Sequence, residues 1–473
     1  MTYAIQPIDP IDLGSPIDWK TRFPEPVAVL GYGVEGASTV RHLLQNGYRD
    51  LVVLDRAAPA SPLPEGVRGV FGPDYLAALG QDSGIRTVFR APGVRPFVPE
   101  IEAFVARGGL LTSQVEAAFT LIGPARIIGV TGTVGKGTCC SLLSAMLGAA
   151  AIPHRLAGNI GVPPLDALDG LPQNALLLLE LSSFQLCTLR ESPALAVVLR
   201  TTTEHLDWHA SQEEYWQHKA NLVRHQQVGD ACVFFADVPG SAWIGTLGAG
   251  RKIPVGQSPV GTLSHLPKHG PRLTGDTVVW EERGLQLALS ETQMTGTFNL
   301  ENIAAAAAAA LVCGASVEAV RAGARAFAPL EHRIEFVRAL NGVRFYNDSY
   351  ATRPEATLAA VGAFHEPLGL ILGGSEKFAD FSAMAAALVE QPHLRAIAFI
   401  GHTAARLETE LGAAGALAGR AYRRCEGLED ALKFLRSVLS EGSILLSPAC
   451  ASFGLFANYK ERGKAFKNLV NAI

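Results

Sequence analysis

The chain has 473 residues, 48% of them hydrophobic and 18% charged, which suits about three folded domains and excludes global disorder. With 40 basic against 44 acidic side chains the formal net charge is −4, so nucleic-acid binding by bulk electrostatics is excluded. No signal-peptide pattern opens the sequence, its longest apolar run (Ile303 to Cys313) is too short to span a bilayer, and its seven cysteines show no metal-ligand spacing; a cytoplasmic enzyme without membrane insertion is expected.

Val27 to Leu30 forms an apolar strand, Gly31-Tyr-Gly33-Val34-Glu35-Gly36 a glycine loop and Ala37 to Asn46 a helix; a second strand, Leu51 to Leu54, ends at Asp55. This βαβ unit has G-x-G-x-x-G spacing with an acid about 20 residues on, as dinucleotide sites require. Glycine there lets backbone N–H groups approach a pyrophosphate at a helix N-terminus. A parallel-sheet turn that needs glycine for packing alone accounts for the same residues.

Arg126 to Thr131 is a buried strand that runs into Gly132-Thr133-Val134-Gly135-Lys136-Gly137-Thr138 and a helix, Cys139 to Ala150. Loop N–H groups make an anion nest and the lysine reaches terminal phosphates. The strict pattern fails twice: Val130 stands in place of glycine, and Gly137 in place of the hydroxyl residue that holds Mg²⁺, with Thr138 as the substitute one position on. The apolar run Ala175 to Leu179 ends at Glu180, where Mg²⁺–nucleotide chemistry places an acidic ligand.

A further strand, Leu195 to Leu199, leads to His205-Leu-Asp207-Trp-His209. His-x-Asp-x-His is a metal site or a polar loop, and its place after an apolar strand favours the site. Lys219, on an amphipathic helix from Glu213 to Val223, is by itself a solvated lysine. Residues 230 to 295 show short strands (Val278 to Trp280, Leu285 to Leu289) without a functional pattern, and Asn299 suits the N-cap of the alanine helix.

In the last third, strand Val343 to Tyr346 ends in Asn347-Asp348-Ser349, with a helix from about Pro354. Leu368 to Leu372 ends in Gly373-Gly374-Ser-Glu-Lys377, Ala396 to Ile400 in Gly401-His402, and Ile444 to Leu446 in Ser447 to Ser452. These four strands describe a doubly wound sheet with its functional edge at the strand C-termini.

Gly132 to Lys136, Gly158-Asn159-Ile-Gly161, Glu180-Leu-Ser182-Ser-Phe-Gln185 and His205-Leu-Asp207 are followed by Asn299 to Asn302, His332-Arg333, Asn347-Asp348-Ser349, Leu372 to Gly374 with Lys377, Ser447 to Ser452 and Arg462-Gly463. In this set and order the chain resembles the Mur ligase family over all three segments. The 180–185 and 447–452 stretches typify its glutamate-adding branch. The resemblance implies an α/β fold of three domains: Rossmann-like (1–116), P-loop NTPase-like (117–329) and Rossmann-like, doubly wound (330–473). It also implies an ATP- and Mg²⁺-dependent amide ligase, monomeric, that adds D-glutamate to UDP-N-acetylmuramoyl-L-alanine through an acyl phosphate, in peptidoglycan precursor synthesis.

The residue roles that follow are implied by the resemblance alone. Lys136, Lys219 (as a carbamate) and His205 serve catalysis, with Glu180, His205, Lys219 and Thr138 at the metal. Gly132, Thr133, Gly135, Lys136, Gly137, Thr138, Asn299, Asn302, Arg333 and Asp348 hold ATP. Gly31, Gly33, Val34, Glu35, Asp55, Arg56, Asn159, Ser182 and Gln185 hold the UDP substrate, Glu35 through the uracil N–H. Thr352, Lys377, Ser452 and Tyr459 hold glutamate.

The chain departs from the family at Val134 (usually asparagine), Gly137, Arg200 (asparagine), Tyr350 (lysine) and Tyr459 (phenylalanine); reduced metal affinity without loss of catalysis is expected. Glu35, Tyr350 and Tyr459 motivate an alternative ligase for L-glutamate or a dipeptide nucleotide. Val134 and Gly137 motivate a nucleotide-binding protein without turnover. An NAD-dependent oxidoreductase built on Gly31 to Gly36 leaves Lys136, Glu180 and Lys377 without a role.

Overall fold

The computed structural model describes residues 18–205, 208–256, 270–294, 296, 298–376 and 379–473. They form two compact units, one from Met1–Glu291 with Glu301–Phe327 and the other from Thr292–Leu300 with Ala328–Ile473. The first unit opens with β1 (Val27–Leu30), β2 (Leu51–Asp55), β3 (Val67–Phe71), β4 (Thr87–Arg90) and β5 (Leu110–Thr112), a parallel sheet of order β3-β2-β1-β4-β5. Strand order reverses beside β1, so a crevice opens at the C-terminal ends of β1 and β4, where such sheets take ligands.

A second parallel sheet of the same unit contains β6 (Ile127–Thr131), β7 (His154–Gly158), β8 (Leu176–Glu180), β9 (Leu195–Val198), β10 (Ala231–Phe235) and β11 (Arg251–Val255), in the order β11-β10-β9-β6-β8-β7. Every residue of β6, β8, β9 and β10 is buried, as expected of strands covered on both faces. In register, Val130 pairs with Glu180 and Thr131 with Val198. The segments that follow β6, β8 and β9 therefore emerge side by side. An antiparallel sheet of β12 (Arg272–Thr274), β13 (Thr277–Trp280) and β14 (Leu285–Ala288) follows.

The helix Phe298–Val312 buries Ala304 to Ala310 completely. It begins before Asn299, which lies inside the first turn instead of capping it as the sequence suggests. Helix Val317–Ala326 packs on Lys136–Ala149 so closely that a Cβ on Gly323 would lie 2.5 Å from the Met146 Cα.

The second unit contains β15 (Glu335–Leu340), β16 (Val343–Asn347), β17 (Leu368–Gly374), β18 (Leu394–Gly401), β19 (Ala421–Arg424) and β20 (Gly442–Leu446), ordered β15-β16-β20-β17-β18-β19, with only β15 antiparallel. The four strands expected from sequence are its centre. The two added edge strands are charged and partly exposed, so they lack the apolar run that marks a central strand. Among the described residues no helix is long and apolar enough to cross a membrane.

Candidate active site

The turn after β6 is shaped by glycine. Gly132 has φ +150 and Gly135 has φ +86; a Cβ on Gly135 would lie 2.4 Å from Asn302 Oδ1, so the loop has closed onto the alanine helix. Thr133 N–H donates to the Arg200 carbonyl (2.8 Å), and its Oγ1 lies 3.0 Å from the Tyr215 hydroxyl. Arg200, the departure noted above, donates from Nε to Glu301 (2.5 Å) and from Nη2 to Asp237 (2.8 Å). Those carboxylates absorb the charge that an asparagine would not bring.

Two lysines meet at one carbonyl. Lys136 Nζ donates to Gly132 O (2.9 Å) and Thr133 O (3.0 Å), while Lys219 Nζ donates to Gly132 O (2.9 Å) and Thr131 Oγ1 (3.1 Å). Lys219 is 1% exposed, which overturns its reading as a solvated lysine. The amphipathic helix Gln212–Arg224 turns this position inward, with Tyr215, one turn earlier, placing its ring 4.8 Å below the amine. Burial, and then the nearby Lys136, hold the Lys219 amine well below the usual lysine range, against the pull of Glu204 and Glu180.

Glu180 ends β8. Its Oε1 accepts from Asn159 Nδ2 (2.9 Å), and Asn159 N–H donates to the Glu180 carbonyl (2.9 Å). Its Oε2 is buried without a hydrogen-bond partner among the described residues. A carboxylate oxygen left bare in a water-excluded place is costly unless a cation covers it. That orphan oxygen fits a bound divalent ion, and oxygen ligands suit Mg²⁺. His205 lies on the neighbouring loop with φ +58, its ring 4.7 Å from that of Phe184. Thr138 is buried in the first turn after Lys136. Asp207 lies outside the described residues.

In the crevice of the first sheet, helix Val34–Gln45 starts at Gly33 with no side-chain cap, and Val34 is 78% exposed. Gly31 N–H donates to the Leu54 carbonyl (2.9 Å), and the Tyr32 N–H is taken by Asp55 Oδ2 (2.7 Å). Arg56, next to it, is exposed. The Glu35 Oε1 accepts from Gln185 Nε2 at 3.0 Å. Burial pushes the Glu35 carboxyl up to about 7, only partly offset by Gln185 and Arg90. Gln185 in turn closes a capping box with Ser182. The short helix after Glu180 is thereby tied to the first sheet.

In the second unit Asp348 follows β16. Its Oδ2 accepts from Ser447 Oγ (2.7 Å) and its Oδ1 from the Ile334 N–H (3.2 Å), while burial pushes its carboxyl up to about 7. The Arg333 guanidinium lies 3.9 Å over the Tyr350 ring, and Tyr350 meets Tyr459 edge to face at 5.0 Å. Arg462, 1% exposed, donates to Ser349 Oγ and O (3.0 and 2.9 Å) and to the carbonyls of Cys450 and Ala451 (3.0 and 3.2 Å). It ties the segment carrying Thr352 to the one carrying Ser452. Lys377 lies outside the described residues.

The structural roles of Tyr215, Arg90 and Arg462 were not assigned from sequence. Only Tyr215 leaves a local signal, its four-residue spacing from Lys219 on one helix. Arg90 works through long-range contacts, with Nη2 donating to the Phe184 carbonyl at 2.8 Å.

Residues 130–310 match the Mur ligase middle domain, and residues 332–450 the Mur ligase, glutamate ligase domain. A protein of Symbiobacterium thermophilum named UDP-N-acetylmuramoylalanine–D-glutamate ligase is 36% identical over 465 residues, 95% of this chain and 98% of that protein. A protein of the same name from Acetivibrio thermocellus is 35% identical over 460 residues, 94% of this chain and 96% of that protein. Among solved structures, a pseudomurein peptide ligase type C from Methanothermus fervidus shares the fold, with a TM-score of 0.58 and 16% identity over 94% of this chain and 99% of that one. So does a MurF ligase from Thermotoga maritima solved in complex with ADP, with a TM-score of 0.57 and 17% identity over 94% of this chain and 95% of that one.

Proposed function

This chain belongs to the Mur ligase family, and from that premise we propose that it is an ATP-dependent ligase that joins the carboxylate of UDP-N-acetylmuramoyl-L-alanine to the amine of D-glutamate in peptidoglycan precursor synthesis. The observation that carries this reading is the convergence of Lys136 and Lys219 on one carbonyl, with the partnerless oxygen of Glu180 on the adjacent strand.

A carboxylate is a poor acyl donor, so the γ-phosphoryl of ATP is passed to it first; the amine then attacks the acyl phosphate and phosphate leaves. Lys136 swings from the loop carbonyls to the transferring phosphoryl group, whose charge it offsets. Gly132, Thr133, Gly135, Gly137 and Thr138 offer the nest around the phosphates, with Asn299, Asn302, Arg333 and Asp348 as further nucleotide contacts. Glu180, His205 and Thr138 would hold Mg²⁺, which would supply charge neutralisation at the phosphoryl oxygens. Lys219, whose amine burial holds well below the usual lysine range, would add CO₂ with loss of a proton to solvent; as a carbamate it would be an anion that completes that ligand set.

Within the same reading Gly31, Gly33, Val34, Asp55 and Arg56 grip the uridine diphosphate, with Asn159, Ser182 and Gln185 along the sugar peptide. Glu35 acts by orienting Gln185. Thr352, Lys377, Ser452 and Tyr459 hold the incoming glutamate. The division into domains 1–116, 117–329 and 330–473 belongs to this proposal, as do a monomeric state and a cytoplasmic setting, the latter consistent with seven free cysteines.

With ATP, Mg²⁺, UDP-N-acetylmuramoyl-L-alanine and D-glutamate all present, the protein is expected to release ADP and phosphate, and to release none when any one is omitted. Phosphate release without the nucleotide sugar overturns the reading. The aromatic pair Tyr350–Tyr459 favours testing a second reading, a ligase for L-glutamate; faster turnover with that enantiomer decides for it.

A further inference from the structure

His209, the second histidine of the His-x-Asp-x-His stretch, has no part in the chemistry above, yet it is 2% exposed. Its Nε2 lies 2.9 Å from Ser183 Oγ, and its Nδ1 lies 3.1 Å from Nδ1 of His218. Phe184, Trp208 and Tyr215 close around the ring, with centroids at 5.7, 4.7 and 5.2 Å.

The proton arrangement is constrained. Two Nδ1 atoms facing each other at hydrogen-bond distance need one proton between them. If His209 carries it, its Nε2 accepts from the Ser183 hydroxyl; if His218 carries it, His209 Nε2 donates to that hydroxyl. The bond to Ser183 stands in either case.

The backbone closes the circuit. The His209 N–H donates to the His205 carbonyl at 2.9 Å, as Trp208 does at 3.0 Å. His205 itself has φ +58, a conformation that costs a non-glycine residue on the order of 1 kcal/mol and persists only when its surroundings impose it. Ser183 lies three residues after Glu180, and His209 four residues after His205. The single side-chain bond between them thus cross-links the loop after β8 to the loop after β9.

We propose that His209 is a positioning residue: by joining the His205 turn to the Ser183 hydroxyl, it sets the placement of His205 relative to Glu180. This rests on the metal-holding role proposed for those two residues and extends it to the group that aligns them.

Three variants separate alignment from mere filling of space. His209→Phe keeps a ring but removes both side-chain hydrogen bonds; His209→Asn keeps a polar atom near His218 only; His209→Gln keeps one within reach of Ser183. The Phe and Asn variants are expected to raise the half-saturating Mg²⁺ concentration about tenfold, the low end of losses seen when groups orienting metal ligands are removed. Gln is expected to restore most of the wild-type value. Ser183→Ala should reproduce the Phe variant and add nothing to it when combined. An unchanged Mg²⁺ dependence in the Phe variant, or no rescue by Gln, overturns the proposal. A second arm uses the ligand-free protein: in side-chain ¹⁵N spectra, Ser183→Ala should move the resonances of both His209 and His205. Unmoved His205 resonances overturn the alignment whether or not the wild-type protein turns over, whereas absent wild-type turnover counts against the proposed function alone.

Discussion

Lys136 and Lys219 share a carbonyl but are held in different states. Lys136 is half-buried and donates to the loop carbonyls of Gly132 and Thr133, acceptors that a phosphate oxygen can replace. Lys136→Ala is therefore expected to lower turnover at least about 100-fold while leaving unfolding free energy within about 0.5 kcal/mol; phosphate release and urea titration check both. Lys219→Ala should be inactive and partly restored by a small carboxylic acid in place of the carbamate; full activity without additive contradicts the role. Glu35 gives a pH prediction. Its carboxyl lies at about 7 in the folded protein against an ordinary 4.5, so the folded state holds the proton more tightly. Stability contributed by this group is present below pH 4.5 and declines as pH rises through 7. Glu35→Gln, which keeps an acceptor for Gln185, should come close to wild type near pH 4.5 and exceed it by up to about 3 kcal/mol at pH 8, as read from denaturant midpoints. Equal differences at both pH values would refute the assignment.

At the level of elements, site residues converge because neighbouring parallel strands deliver them. The loop after β6, Glu180 at the end of β8 and the His205 segment after β9 share one sheet edge by register alone. The first sheet depends on one close approach: a Cβ on Gly36 would sit 2.0 Å from the Gly31 carbonyl oxygen. Gly36→Ala must push helix Val34–Gln45 off β1, and is expected to destabilise the protein by about 1–3 kcal/mol and to weaken binding of the UDP substrate; calorimetric titration with that substrate reads the second effect. Native stability and affinity together would mean that the helix tolerates the shift. The single bond between Ser183 and His209 works at the same scale, because it holds two such loops in register after their strands have ended.

The whole molecule has separate buried clusters in its two units, so thermal unfolding need not be a single transition. A non-hydrolysable ATP mimic with Mg²⁺, at a hundredfold its Kd, should stabilise the unit that binds it by about 2.7 kcal/mol. Scanning calorimetry checks this, and Lys136→Ala should abolish most of the shift. If no transition moves for the wild-type protein under saturating mimic, the turn at 132–138 is not the triphosphate site.

Much of this was legible along the chain. The runs at 127–131, 176–180 and 195–198 are apolar without interruption, as strands buried on both faces must be, and the glycine loop with its lysine is a local pattern needing no partner to be recognised. Edge strands escaped notice: β3 is largely exposed, and β11 carries Arg251, Lys252 and Pro254, so neither shows the periodicity of a core strand. Folding alone decided the electrostatics. Lys219 looks solvated until Tyr215 and the β6 loop enclose it, nothing along the chain marks Gln185 as the partner of Glu35, and His209 looks like half of a metal motif until Ser183 and His218 occupy both its nitrogens. A charge or proton site depends on how much water surrounds it and which groups replace that water. Those groups here come from positions up to 150 residues apart, and only packing brings them together.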